Sequence, residues 1–224
     1  RAVPGRESRL VQVRTDILIL GSGIGGLTLA LRCAEFADVV IVTKKDRSES
    51  NTNYAQGGIA SVLSPDDSFD LHIKDTLAAG DGLCHRDAVE AVVREGPELV
   101  RELMDLGVRF SRDETGDFSL GREGGHTRRR IVHAADQTGR EIEQTLLRAV
   151  AARPNIRMFE NHAAVDLLVE SRLLGLGRRP AGEDTCWGAY ILDAAAGTIE
   201  PFVAAVTCLA TGGAGKVYRY TSNP

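Results

Sequence analysis

The sequence predicts an α/β fold: a parallel sheet with helices on both faces and a small antiparallel β-meander near residues 156–209. Three observations predict it. An apolar run, a glycine cluster, a helical pattern and a second apolar run follow one another across residues 16–43, within the ~30 residues of a βαβ unit. After Pro154 the pattern changes to short strand-like runs. The last of these ends, like the first, in a glycine turn, Ala210-Thr211-Gly212-Gly213.

Each element has its own signal. In residues 16–20 Asp16 is followed by a continuous rather than alternating apolar run to Leu20, as in a parallel strand buried on both faces. Leu27, Ala30, Leu31 and Ala34 share one helical face in residues 27–36. Residues 39–43 repeat the buried-strand pattern. Residues 44–82 have weak periodicity, and so long an irregular stretch in a compact domain is usually functional. Asp87 can cap a helix running to Arg94. Gly96-Pro97 should break it, with Pro97 in the first turn of a second helix ending near Gly107. Residues 111–135 are polar, glycine-rich and basic, so they read as a loop. Thr138-Gly139-Arg140-Glu141 has the capping-box form and opens a helix carrying Ile142, Leu146, Leu147 and Val150. Strands are expected at 156–159, 163–169, 187–192 and 202–209. Residues 173–184, with Gly175, Gly177 and Pro180, read as a mobile connection. The organisation expected is a tail over residues 1–14 and one domain over 15–224, without repeats or a linker.

Composition bounds the function. A chain of 224 residues, 43% hydrophobic, can bury a real core. Its net charge of -4 argues against nucleic acid as partner, since phosphate binding needs a basic face. No apolar run reaches the ~18 residues of a membrane span, and residues 1–15 lack the apolar core of a signal peptide. No membrane association is expected. The 4 cysteines include no C-x-x-C pair, which argues against a zinc site or redox dithiol. Cys33 and Cys208 read as small core residues, and the setting expected is reducing and cytoplasmic.

Gly21-Ser22-Gly23-Ile24-Gly25-Gly26 fits G-x-G-x-x-G and lies between a predicted strand and a predicted helix, the context that gives the motif weight. Gly21 permits the tight turn, Gly23 lets backbone amides approach a pyrophosphate, and Gly26 lets the helix pack closely on the sheet. The helix N-terminus favours the diphosphate charge. This is a Rossmann-like dinucleotide site. The acidic residue that would bind an NAD ribose is missing: the second strand ends in Thr43, Lys44 and Lys45, with Asp46 late. A lysine reading a 2′-phosphate, as in an NADPH reductase, therefore competes, although Lys45 reads better as a solvated residue. Three further segments carry dense chemistry: Ser50 to Ala60, Arg122 to Arg130, and Ala210 to Gly213. Several such clusters on separate elements suit a large extended cofactor, so FAD fits better than NAD.

Together these segments resemble the fumarate reductase/succinate dehydrogenase flavoprotein superfamily, and within it the L-aspartate oxidase family. The likeness rests on the first glycine turn with Thr43-Lys44, on Asn51-Thr52-Asn53-Tyr54-Ala55-Gln56-Gly57-Gly58, on Arg122-Glu123-Gly124-Gly125-His126, on the run Arg130 to Gly139, and on Ala210 to Tyr218, all in the family's order. The resemblance implies that Gly21, Ser22, Gly23, Gly25 and Gly26 hold the FAD pyrophosphate and that Lys44 lies near the adenosine. It places Asn51, Thr52, Asn53, Tyr54, Ala55, Gln56, Gly57 and Gly58 along the flavin and diphosphate, Ala164 and Val165 at the adenine, and Thr211, Gly212 and Gly213 closing the site. It implies non-covalent FAD, since Asn51 stands where covalent members carry histidine. Glu123 and His126 become substrate-binding residues. A carboxylate beside a substrate ammonium makes a charge-assisted bond, about twice as strong as a neutral one, and disfavours a dicarboxylate without the amine.

The function so implied is oxidation of L-aspartate to iminoaspartate, with oxygen or fumarate as acceptor, and with quinolinate synthase next on the route to NAD. No catalytic residue is assigned within this chain, since the capping domain and C-terminal region that supply them are expected beyond Pro224. By itself the chain is expected to be inactive. Two alternatives stay open: a soluble fumarate reductase or succinate-oxidising flavoprotein, and a non-catalytic nucleotide-binding module. His126 and Arg128 to Arg130 either attract a dicarboxylate or form a solvated basic loop. His133 and His162 read as structural, His72 and His85 as surface or capping residues.

Overall fold

The structure, a computed structural model, describes residues 12–135, 137–175, 177, 180 and 182–221. The chain forms two compact units: one from the chain up to Ser50 together with Leu147 onward, the other from Asn51–Leu146.

The first unit is built on a six-stranded sheet in the order β5-β2-β1-β8-β7-β6. β1 (Val13–Leu20), β2 (Val39–Val42), β5 (Ile156–Phe159) and β8 (Thr198–Leu209) run parallel. β6 (His162–Val169) and β7 (Cys186–Asp193) extend the sheet antiparallel. All of β2 and the Ile17–Leu20 half of β1 are buried without alternation, as a parallel strand covered on both faces requires. Leu18, Leu20, Val40, Val42, Ala189, Ile191, Phe202 and Ala204 form one core cluster. Phe159 meets Phe202 edge-to-face at 4.9 Å. Burying each large aliphatic side chain here contributes about 1.5–3 kcal/mol. α1 (Ile24–Cys33) lays Leu27, Ala30 and Leu31 on β1 and β2, which completes the βαβ unit read from the sequence.

Four details differ from expectation. β5 joins the parallel sheet beside β2, pairing Val39 with Ile156, so the meander is β6-β7-β8 alone. β8 starts at Thr198, four residues before the expected 202. Pro201 can sit inside it because β1 pairing begins only at Phe202, so the absent N–H interrupts no ladder on that side. Val13 and Arg14 already belong to β1, and residues 1–11 of the expected tail lie outside the described residues. The expected mobile connection opens with a helical turn, α5 (Glu170–Leu173). Leu176, Arg178, Arg179 and Ala181 within it lie outside the described residues.

The second unit carries a two-stranded antiparallel sheet, β3 (Ile59–Ala60) with β4 (Ile131–Val132), and two packed helices, α2 (Phe69–Ala79) and α3 (Arg86–Asp105). α4 (Thr138–Ala151) leads back into the first unit. The expected break at Gly96-Pro97 does not occur. α3 runs through Pro97, whose buried ring shares a packed stripe with Val93 and Val100, and that packing offsets the lost hydrogen bond. Its N-cap is His85, while Asp87 sits in the first turn, where its charge favours the helix dipole. The capping box at Thr138 is not formed: Thr138 Oγ1 accepts from Ala134 N at 3.0 Å, and Glu141 Oε1 accepts from Arg109 N at 3.3 Å. No helix among the described residues is long and apolar enough to cross a membrane.

Candidate cofactor and substrate site

In the first unit, β1 delivers Gly21 at the carboxyl end of the parallel strands, the edge where open α/β sheets bind ligands. Gly21 N donates to Val42 O at 2.9 Å and Ala210 N donates to Leu20 O at 2.9 Å, so the turns after β1 and β8 lie side by side. Gly21 has φ +122°, and a Cβ there would overlap the carbonyl of Ala210; a Cβ on Gly26 would overlap the carbonyl of Gly21. Both glycines are required by close backbone approach. Gly23 is the N-cap of α1, which has no side-chain cap bond and no acidic residue in its first turn. Nothing lies within 4 Å of a Cβ placed on Gly25 or Gly213. A helix N-terminus without a side-chain cap among the described residues, beside two glycine turns, fits a dinucleotide diphosphate.

Ser22 is buried and its hydroxyl donates to Arg47 O at 3.2 Å and accepts from the Thr43 hydroxyl at 2.9 Å, which ties the glycine turn to the end of β2. Asp46 turns onto Ser48, accepting from its N–H at 3.0 Å and its hydroxyl at 2.7 Å, and these bonds hold its carboxyl below the usual range. Lys45 faces solvent beside Glu49. His162 N donates to Thr43 O and Asn161 N to Lys45 O, at 3.0 and 3.1 Å. The start of β6 therefore lies beside exposed Lys44, and Ala164 and Val165 follow on β6, exposed, at a register shift. Thr211, Gly212 and Gly213 are exposed after β8.

In the second unit, the stretch from Asn51 to Gly58 is pinned by two further close approaches. A Cβ on Gly139 would overlap Thr52 O, and one on Gly58 would overlap Val132 O. Gly139 N donates to Ala55 O at 3.0 Å. Asn51, Tyr54, Ala55, Gln56 and Gly57 face solvent, with Thr52 and Asn53 half-buried. Glu123, exposed, reaches back to this stretch: a Cβ on Gly57 would lie 3.3 Å from its Oε1. Glu123 O accepts from His126 N at 3.3 Å, so both substrate candidates share one turn.

Below that turn lies a polar cluster that the sequence did not reveal. Arg130 is not solvated: its side chain is fully buried, with Nε and Nη2 donating to the two oxygens of Asp67 and Nη1 to Asp75 Oδ2, each at 2.8 Å. Thr127 donates to Asp75 Oδ2 through both N and Oγ1 at 2.8 Å. Burial alone would raise the Asp75 carboxyl, but the bonds from Thr127 and Arg130 outweigh it and hold it low. His72 is buried rather than on the surface, 5.9 Å from the His126 ring, with no hydrogen-bond partner at Nδ1 among the described residues. Burial first, then the Arg130 and His126 charges, press its pKa below the ordinary histidine value. Hydropathy hides this cluster, because buried charges read as solvated loop; the one available signal is the acidic α2 region set against a basic loop. Elsewhere His85 is exposed at its helix end, and His162 is held by Glu160 O at 2.6 Å, a structural role as expected.

Comparison with known proteins gives a consistent result. A family model described as an FAD binding domain matches residues 16–224. L-aspartate oxidase 2-a, chloroplastic, of Nicotiana tabacum is 45% identical over 209 residues, covering 93% of this chain and 31% of that protein. L-aspartate oxidase 1 of Ralstonia nicotianae is 46% identical over 211 residues, covering 93% and 38%. Among solved structures, a mutated form of E. coli quinol fumarate reductase FrdA superposes with a TM-score of 0.85 at 33% identity, covering 95% of this chain and 35% of that one. The chain thus spans about a third of the length of the relatives it matches.

Proposed function

This chain belongs to the FAD binding domain family and FAD is its cofactor; from that premise we propose that it is the cofactor-binding part of an enzyme that oxidises L-aspartate to iminoaspartate. Bound FAD supplies the two-electron oxidant, and the protein binds, orients and tunes it. The chain's own part is positional. The turn Gly21 to Gly26 and the first turn of α1 hold the diphosphate. Lys44, Ala164 and Val165 take the adenosine end, Asn51 to Gly58 run along the flavin without a covalent bond, and Thr211 to Gly213 close the cradle. Glu123 receives the α-ammonium of aspartate. His126 Nδ1 lies 3.4 Å from the Arg130 guanidinium, which donates to it, so a neutral ring carries its proton on Nε2, available to a substrate carboxylate.

Oxygen or fumarate serves as acceptor, and iminoaspartate passes to quinolinate synthase on the route to NAD. The remaining carboxylate-binding and proton-transfer groups belong to the two thirds of the relatives' length that this chain does not match.

The observation that carries the reading is the Glu123 carboxylate resting on Gly57, within a chain 42–46% identical to relatives named L-aspartate oxidase. Glu123→Gln in the full-length protein tests it. Losing one charge-assisted bond to the ammonium should raise the KM for aspartate about 10- to 100-fold, and removing the carboxylate's repulsion should strengthen succinate inhibition. An unaltered aspartate KM would remove the substrate assignment and leave the flavin site standing.

A further inference from the structure

We infer that Asp75 is a positioning residue for Glu123: its carboxylate locks the loop from Gly121 to Arg130, and that lock sets how well the site separates an amino dicarboxylate from one without the amine. The inference rests on the reading of Glu123 above and extends it to a buried residue of α2.

The loop needs a lock. Arg122 to Gly125 and Thr127 to Arg129 are exposed, and Gly125 has φ +84°. Ordering such a backbone costs about 1–2 kcal/mol per residue. Its base is closed by backbone bonds: Gly121 N donates to Ile131 O at 2.8 Å, and Arg130 N to Gly121 O at 3.0 Å. Those bonds fix where the loop begins and ends, not the path between. The path is fixed at Thr127, whose N–H and hydroxyl both donate to Asp75 Oδ2, and the same oxygen takes a third bond from Arg130 Nη1. Asp67 holds the other edge of the guanidinium in a two-point fork.

Two buried carboxylates on one guanidinium are not the cheapest way to fill a core, since apolar residues of similar volume are often as stable or more so. What apolar residues cannot do is accept the Thr127 N–H and hydroxyl and so hold the neighbouring turn. That turn, closed by His126 N on Glu123 O, carries the Glu123 carboxylate to Gly57. A pre-ordered loop spares the substrate the cost of ordering it. Loss of the lock therefore appears in binding of the amine-bearing substrate before it appears in turnover.

The test uses the full-length flavin-loaded protein with two variants. Asp75→Asn keeps the shape and removes the charge. Thr127→Val keeps the N–H and removes one bond from an exposed residue, so it preserves the fold if Asp75→Asn does not. Asp75→Asn should raise the aspartate KM about tenfold and Thr127→Val about threefold, as expected for partial loss of pre-ordering. In both, kcat should stay within about twofold and the inhibition constant of succinate, which has both carboxylates and no amine, should not rise. Backbone hydrogen exchange at residues 122–129 should quicken in both, without substrate. Equal weakening of aspartate and succinate, or unchanged aspartate KM and loop exchange in Thr127→Val, overturns the inference. Glu123→Gln run alongside separates the two failures: if it leaves the aspartate KM unaltered, the assignment of Glu123 fails; if it raises the KM while Thr127→Val does not, only the role of Asp75 fails.

Discussion

At the scale of single residues, two neighbouring glycines make opposite predictions. Gly21 has φ +122° and no room for a Cβ beneath the Ala210 carbonyl. Gly21→Ala should therefore lower stability by about 1–3 kcal/mol or more, combining backbone strain with a steric clash. Gly25 is in the first turn of α1 with open space around it, so Gly25→Ala should be neutral or stabilising by up to about 1 kcal/mol from helix propensity. Thermal melting of the two variants checks both, and equal losses would contradict the cradle described. These roles were legible in the sequence, because G-x-G-x-x-G between a strand and a helix admits few geometries. Arg130 was not legible. A basic loop with three consecutive arginines reads as solvated, and nothing local marks the one that turns inward to Asp67 and Asp75.

At the scale of elements, legibility follows what each element buries. β1, β2 and α1 bury aliphatic side chains, so periodicity places them, while the motif segments carry the resemblance to FAD-binding flavoproteins that the family match bears out. α2 buries His72 and Asp75 beside Ile73, and its pattern was lost in a stretch read as irregular. α3 was split at Pro97 because local propensity speaks against proline, while the packed stripe of Val93, Pro97 and Val100 speaks for continuity.

The polar burial of α2 predicts a pH dependence. Folded His72 is held below its ordinary pKa, so below about pH 6.5 the unfolded chain binds more protons and stability falls as pH falls through that window. Asp75, held below its ordinary value, contributes stability above about pH 3.9 that is lost as pH falls through its folded value. Asp67, Arg130 and His126 face the same cluster. Melting temperature should therefore drop in two stages on acidification, and His72→Gln should flatten the first. An unchanged first stage in His72→Gln would show that the histidine is not the source.

At the scale of the molecule, FAD is the cofactor of this chain, and we propose that L-aspartate reduces it in the full-length protein. In that proposal the turn Gly21 to Gly26 of the first unit takes the diphosphate, and the second unit carries a small-residue stretch with the Glu123 carboxylate on it. The most direct measurement is an anaerobic titration of the full-length protein with L-aspartate, following the flavin absorbance, with succinate as the comparison. The account predicts a yellow protein that aspartate bleaches and succinate does not. A colourless protein that takes up no FAD, or a bound flavin that aspartate leaves oxidised, would contradict it.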